Sequence, residues 1–144
     1  MPIDKYFPRE YNEATKGKEI VMKKGFLIYF AIWFVMVLSF YLGFSQSAMG
    51  YSLLAFYLVL PLAGIVCPVI MTQGGCSFKG AIISSLVIGF AYSSAQYLTF
   101  SLLNMLNHSF SRINPFSIDA AIGGALTALL GFVIGAIIKL IRGR

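Results

Sequence analysis

The sequence predicts an all-α integral membrane protein with four transmembrane helices, and three observations carry that prediction. Apolar residues fill 58% of the 144 positions and charged residues only 11%, against roughly 45–50% and 25% in soluble domains. Four long segments carry no charge at their centres. The basic residues gather beside the ends of those segments, mostly on one side of the expected membrane. A soluble chain of this length cannot bury so much apolar surface, so the excess faces lipid.

Each element follows from its residues. Residues 1–24 are polar and mixed in charge, with four acidic and six basic side chains. A flexible tail is the simplest expectation there, with an interfacial helix from Asn12 to Met22 as the ordered variant. Residues 25–143 and the closing Arg144 form the expected transmembrane domain. The first span, Gly25 to Gly43, is 19 uncharged residues and reaches about 28 Å at about 1.5 Å per residue. Its bulk is aromatic and aliphatic on every side, which suits a helix facing lipid. Its apolar stretch is longer than that of a cleaved signal peptide. A short uncharged connection leads to the second span, Tyr51 to Met71, so the two form an antiparallel hairpin. Pro61 and Pro68 are seven residues apart and share a face. Each removes a backbone donor and frees a carbonyl four residues earlier, on Tyr57 and Gly64. Lipid offers no partner, so this face should point into the bundle, and the prolines are candidate kinks.

Thr72 to Gly80 is the charge-bearing break that divides the apolar block. Gly74 and Gly75 are expected to end the second helix in left-handed conformations, and Ser77 to cap the third. The third span, Gly80 to Leu103, is the most polar. Ala81, Ser85, Gly89 and Ser93 recur at steps of four and form a small-residue strip that admits a neighbouring backbone. Tyr92, Ser93 and Gln96 are candidates for interhelical hydrogen bonds or for lining a pathway. Asn104 to Ser117 holds His108 and Arg112, and either Asn114 or Ser117 can cap the next helix. Asp119 then lies in its first turn, where the helix end favours a carboxylate. The fourth span, Ile118 to Ile138, carries Ala120, Gly124 and Ala128 as one strip and Gly131 with Gly135 as a Gly-x-x-x-Gly pair. That pair should pack against the third span or across a homo-oligomer.

Topology follows from Lys23, Lys24, Lys79, Lys139, Arg142 and Arg144, which fall on one side of four spans. Arg112 stands alone on the other. Both termini, and with them the polar N-terminal segment, are therefore expected in the cytoplasm, with the chain built as two antiparallel hairpins.

Function is bounded mainly by exclusion. The +6 net charge sits beside membrane spans and makes no contiguous basic face, so nucleic acid is not an expected partner. No ionisable side chain other than tyrosine or cysteine occupies the centre of a span, which argues against a proton-coupled exporter. No metal, phosphate-loop or hydrolase motif is present, and one histidine cannot supply a three-ligand metal centre. Cys67 and Cys76 form no C-x-x-C pair and read as structural thiols. No catalytic, cofactor-binding or metal-ligating residue is expected.

Across Gly74-Gly75-Cys76-Ser77-Phe78-Lys79-Gly80-Ala81 the chain resembles an uncharacterised family of bacterial four-span inner-membrane proteins. The likeness is a Gly-Gly turn before Ser-Phe at the third span, together with a final span rich in small residues. The charged N-terminal segment is longer here, and less charge precedes the turn. The resemblance implies a multi-pass bacterial inner-membrane protein and assigns no functional residue.

The leading expectation is a non-enzymatic subunit or scaffold that packs in the bilayer with itself or another membrane protein. The alternative is a channel or carrier for a neutral or lipophilic solute, lined by Ser85, Tyr92, Ser93, Gln96 and the proline face. A holin-like pore is a third.

Overall fold

The computed structural model describes residues 9–42, 48–101 and 117–143. Every element among them is helical: α1 (Arg9–Leu42), α2 (Ala48–Ser52), a π-helical segment π1 (Leu53–Val59), α3 (Leu60–Gln73), α4 (Phe78–Gln96), a second π segment π2 (Tyr97–Ser101) and α5 (Ile118–Arg142). Four stretches are long and apolar enough to cross a membrane: Lys16–Leu42, Gly50–Gln73, Phe78–Phe100 and Ile118–Arg142. The shortest has 23 residues, or about 34 Å of helix against a hydrocarbon core of about 30 Å. The distribution of polarity is that of a multi-pass membrane protein. Leu27, Leu42, Phe78 and Leu140 lie on the surface, while Ser84, Ser85, Ser93 and Thr99 are buried. His108, Arg112, Asn114 and Arg144 lie outside the described residues.

The first helix differs from a tail followed by a span. α1 runs from Arg9 through Leu42 without interruption, so the described part of the polar segment continues the first span. Lys23 pairs with Glu19 at 2.8 Å across one turn, an exposed contact of small energetic weight. Lys24 is also exposed. The extension braces the turn between α3 and α4. Gly74 lies so close to Val21 that any side chain there would overlap it, Lys18 crosses Gly75, and the Met22 Sδ is 3.7 Å from the Cys76 Sγ.

The turn itself is a Schellman motif. The Cys76 N–H donates to the Met71 carbonyl at 3.3 Å and the Gly75 N–H to Thr72 at 2.9 Å. Gly75 has φ +83°, which favours glycine. Gly74 does not share that conformation: its φ is −76°, and closeness to Val21 is what requires glycine there. The Ser77 Oγ accepts from the Gly80 N–H at 3.1 Å and caps α4.

α5 packs along both α3 and α4, and glycines set how closely. At Gly89 a side chain would collide with the Ala121 carbonyl, and at Gly124 it would meet the Tyr92 Cβ at 2.8 Å. Gly124 therefore seats α5 on the third span. Gly131 and Gly135 face the second span instead. A Cβ on Gly131 would overlap the Ile65 carbonyl and stand 3.0 Å from Pro68, and one on Gly135 would meet the Thr72 Cβ at 2.7 Å. The Gln73 Nε2 adds a hydrogen bond to the Gly135 carbonyl at 3.2 Å.

The first span attaches by other means. Tyr29, Trp33 and Tyr41 each donate to a backbone carbonyl of the third span, those of Ile88, Ala91 and Leu98. The Trp33 bond is 2.7 Å and the Tyr29 bond 3.5 Å. The Tyr51 hydroxyl returns a bond to the Met36 carbonyl at 2.7 Å. Gly25 admits Met71, whose Cγ would stand 2.6 Å from a Cβ there. A span that reads as lipid-facing bulk thus presents a specific face of polar-tipped aromatics to the bundle.

Candidate functional site: a cleft between the second and fourth spans

The half of the bundle remote from the turn is less regular. Both π segments lie there, together with a cluster of Phe40, Tyr51, Phe56 and Phe100 whose rings stand 4.9 to 6.2 Å apart. Pro61 explains π1. In π register a carbonyl accepts from the fifth residue on, and the Leu60 N–H does donate to Ala55. The carbonyl five residues before Pro61 belongs to Phe56, and proline has no N–H to give it. The Tyr92 hydroxyl takes that place, donating to the Phe56 carbonyl at 2.6 Å. The orphan that the sequence places at Tyr57 under α-helical spacing is accordingly met one residue earlier. Pro68 needs no such break and is fully buried against Gly131.

This irregularity leaves a cleft of about 450 Å³ lined by π1 and the start of α3, the end of α4, and the first three turns of α5. Phe56, Tyr57 and Pro61 form one wall; Ala120, Gly123, Gly124 and Thr127 form the other; Tyr92 and Gln96 lie at the back, with Ser117 and Asp119 at the rim. Tyr57 and Gly123 are both exposed, so the cleft opens sideways between the second and fourth spans. Its volume falls within the range of about 300–1,000 Å³ typical of small-molecule sites. Past Thr127 it closes, because α3 runs so near at Gly64 that a Cβ added there would stand 3.3 Å from the Thr127 Oγ1.

The polar residues of the third span divide between two roles. Ser85 is buried and its Oγ donates to the Ala81 carbonyl at 2.8 Å within its own helix. The Ser93 Oγ donates to the Ser117 carbonyl at 2.8 Å and ties α4 to the start of α5. Tyr92 does both, since its hydroxyl is bonded while its ring lines the cleft. Gln96 lines the cleft with no side-chain hydrogen bond among the described residues, although its amide has two donors and an acceptor. Asp119 makes no ion pair among the described residues. Ser117, not Asp119, caps α5, accepting from the Ala120 N–H at 3.2 Å. The helix end favours the carboxylate without using it as the cap.

Sequence reasoning singled out Tyr92, Gln96 and Pro61 but missed Phe56, Gly123 and Thr127 as lining residues. A hydropathy pattern gives no sign of them. The one available signal was Gly123 beside Gly124, two adjacent glycines of which a packing strip needs only one.

A second hollow of about 540 Å³, lined by Thr72, Cys76, Ala136, Lys139, Leu140 and Gly143, lies at the turn end. Burial pushes the Cys76 thiol up from its ordinary range, so it is a poor nucleophile at neutral pH. Lys79, Lys139 and Arg142 are exposed around that end of the bundle. A third hollow, about 280 Å³ among Leu86, Ala121 and Ile122, is almost wholly apolar and suits a lipid chain. Of these three hollows, the cleft alone combines aromatic walls with an amide and a carboxylate among the described residues. Comparison with protein-family models, curated proteins and solved structures finds no match to this chain.

Proposed function

We propose that this is a non-enzymatic protein of the bacterial inner membrane that takes a lipophilic solute from the bilayer into the cleft, as a small carrier or membrane-embedded binding subunit. The observation that carries the reading is the sideways-opening cleft of about 450 Å³ with the Gln96 amide, unpartnered among the described residues, at its back. In this reading the chain forms two antiparallel hairpins with both termini cytoplasmic. The turn at 74–77 is then also cytoplasmic, and the cleft lies in the outer half of the membrane. Lys23, Lys24, Lys79, Lys139, Arg142 and Arg144 all fall on the cytoplasmic side. Reporter fusions at the turn and at each end test that orientation.

The small-residue strips that favour a self-associating scaffold meet partners within the chain: Gly124 and Gly89 on each other's helices, Gly131 and Gly135 on α3. They leave little of that surface for a second copy, and this moves the solute-binding reading ahead.

Photolabelling tests it. A small neutral lipophilic diazirine, adamantyl diazirine, is irradiated with the protein in dodecyl maltoside and the adducts are mapped by mass spectrometry. The expected result is labelling concentrated on Tyr57, Gln96 and Thr127, suppressed by Gly123→Phe. Even labelling over lipid-facing positions such as Leu27 and Leu86, unchanged by that substitution, refutes it.

A further inference from the structure

We infer that the cleft selects lipophilic cations, a substituted ammonium on an apolar body, over neutral or anionic molecules of the same size. The inference rests on the cleft being a solute site and adds the charge of its occupant. Three observations point the same way. Among the described residues Asp119 is the only carboxylate on the lining, no amine lines it, and no cation pairs with Asp119, which stands at the rim. Behind it are the rings of Phe56, Tyr57 and Tyr92, whose faces attract a cation most strongly where water is scarce. The Gln96 amide oxygen, unpartnered among the described residues, can accept from an ammonium N–H.

Charge complementarity excludes the opposite occupant. An anion at the rim would meet the Asp119 carboxylate, and like charges at close range repel. The α5 N-terminus, which would otherwise attract an anion, already has Asp119 in its first turn and the Ser117 cap. A neutral solute without hydrogen-bonding groups would leave Asp119 and Gln96 without a new partner and would gain only apolar contact. The body of the ligand lies between Pro61 and Gly123, and its charged end lies toward Asp119. A membrane lipid with an ammonium headgroup carries the same charge on two long chains. A cleft of this volume, closed past Thr127, suits a single compact body better.

The same photolabelling supplies the test, with tetraphenylphosphonium and tetraphenylborate as competitors of nearly equal size and shape and opposite charge. Tetraphenylphosphonium is expected to suppress labelling of Tyr57 and Thr127. Asp119→Asn should weaken that suppression about threefold while leaving tetraphenylborate no weaker, the scale expected for one exposed charge pair. Comparing wild type with variant cancels the unequal uptake of the two ions by micelles. Asp119 is exposed and Ser117 holds the cap, so the variant keeps the fold; circular dichroism verifies this. If Asp119→Asn leaves the potency of tetraphenylphosphonium unaltered, the charge inference is wrong, while persistent cleft labelling leaves the solute-binding reading standing. If added phosphatidylethanolamine displaces tetraphenylphosphonium completely, the occupant is a lipid headgroup and the inference is likewise overturned. Absence of cleft labelling in wild type, with no competitor, fails the underlying reading instead.

Discussion

The two halves of this bundle are built from the same residue types and packed by different rules. Near the turn, Gly131 and Gly135 press α5 onto α3, Gly25 admits Met71, and Val21 covers Gly74. Backbones approach closely there. In the other half Pro61 breaks the α-helical register and π1 replaces it, a second π segment ends the third span, and aromatic rings fill the spacing. Where the rings stop short, a cleft remains. The difference teaches that a glycine in a span has no fixed meaning: Gly131 and Gly123 are eight residues apart on one helix, yet a Cβ would collide with Ile65 at the first and meet nothing within 4 Å at the second.

That contrast gives the largest expected effect. Gly131→Leu should cost about 3 kcal/mol, the upper end for overpacking, whereas Gly123→Leu should stay within about 0.5 kcal/mol of wild type, as for an exposed site. Loss of helicity on titration with sodium dodecyl sulfate in mixed micelles measures both. Equal destabilisation at the two sites would erase the distinction between the halves. Of intermediate size is Tyr92→Phe, which leaves the Phe56 carbonyl without its partner and should cost about 1–2 kcal/mol. A neutral result would mean that π1 satisfies that carbonyl by itself. The smallest effect concerns the lacing of the first span. Trp33→Phe should cost about 1 kcal/mol and Tyr29→Phe less, since the Tyr29 bond is long. The reverse order would argue that burial of Tyr29, not hydrogen bonding, secures α1.

Much of the fold was legible in the sequence, because a span needs only length and apolarity. The four stretches, the Ser77 cap and the left-handed Gly75 follow from local chemistry that no neighbour alters. Partner choice was not legible. A Gly-x-x-x-Gly pair announces close approach but not to which helix, and Gly131 and Gly135 meet the second span, where the third or another copy was expected. Hydropathy also treats Tyr29, Trp33 and Tyr41 as bulk, so their hydroxyl and indole donors drop out of the reading. The cleft was the least legible feature. It is a gap between two helices, created by a register change at Pro61 and the absence of a side chain at Gly123, and neither residue alone implies it. Gln96 was visible as a polar residue in a span, but whether it joins helices or lines a space depends on what stands opposite.

The central claim is that the cleft beside the π segments is open to solutes and that the helix interface beyond its closed end is dry. Cysteine accessibility tests it most directly, in a background with Cys67 and Cys76 replaced by alanine. Single cysteines at Asp119, Gly123 and Thr127 should react with a charged methanethiosulfonate reagent, and a cysteine at Ala128, which is fully buried one residue further on, should not. Protection of all three reactive positions, or equal reaction at Ala128, would contradict the account.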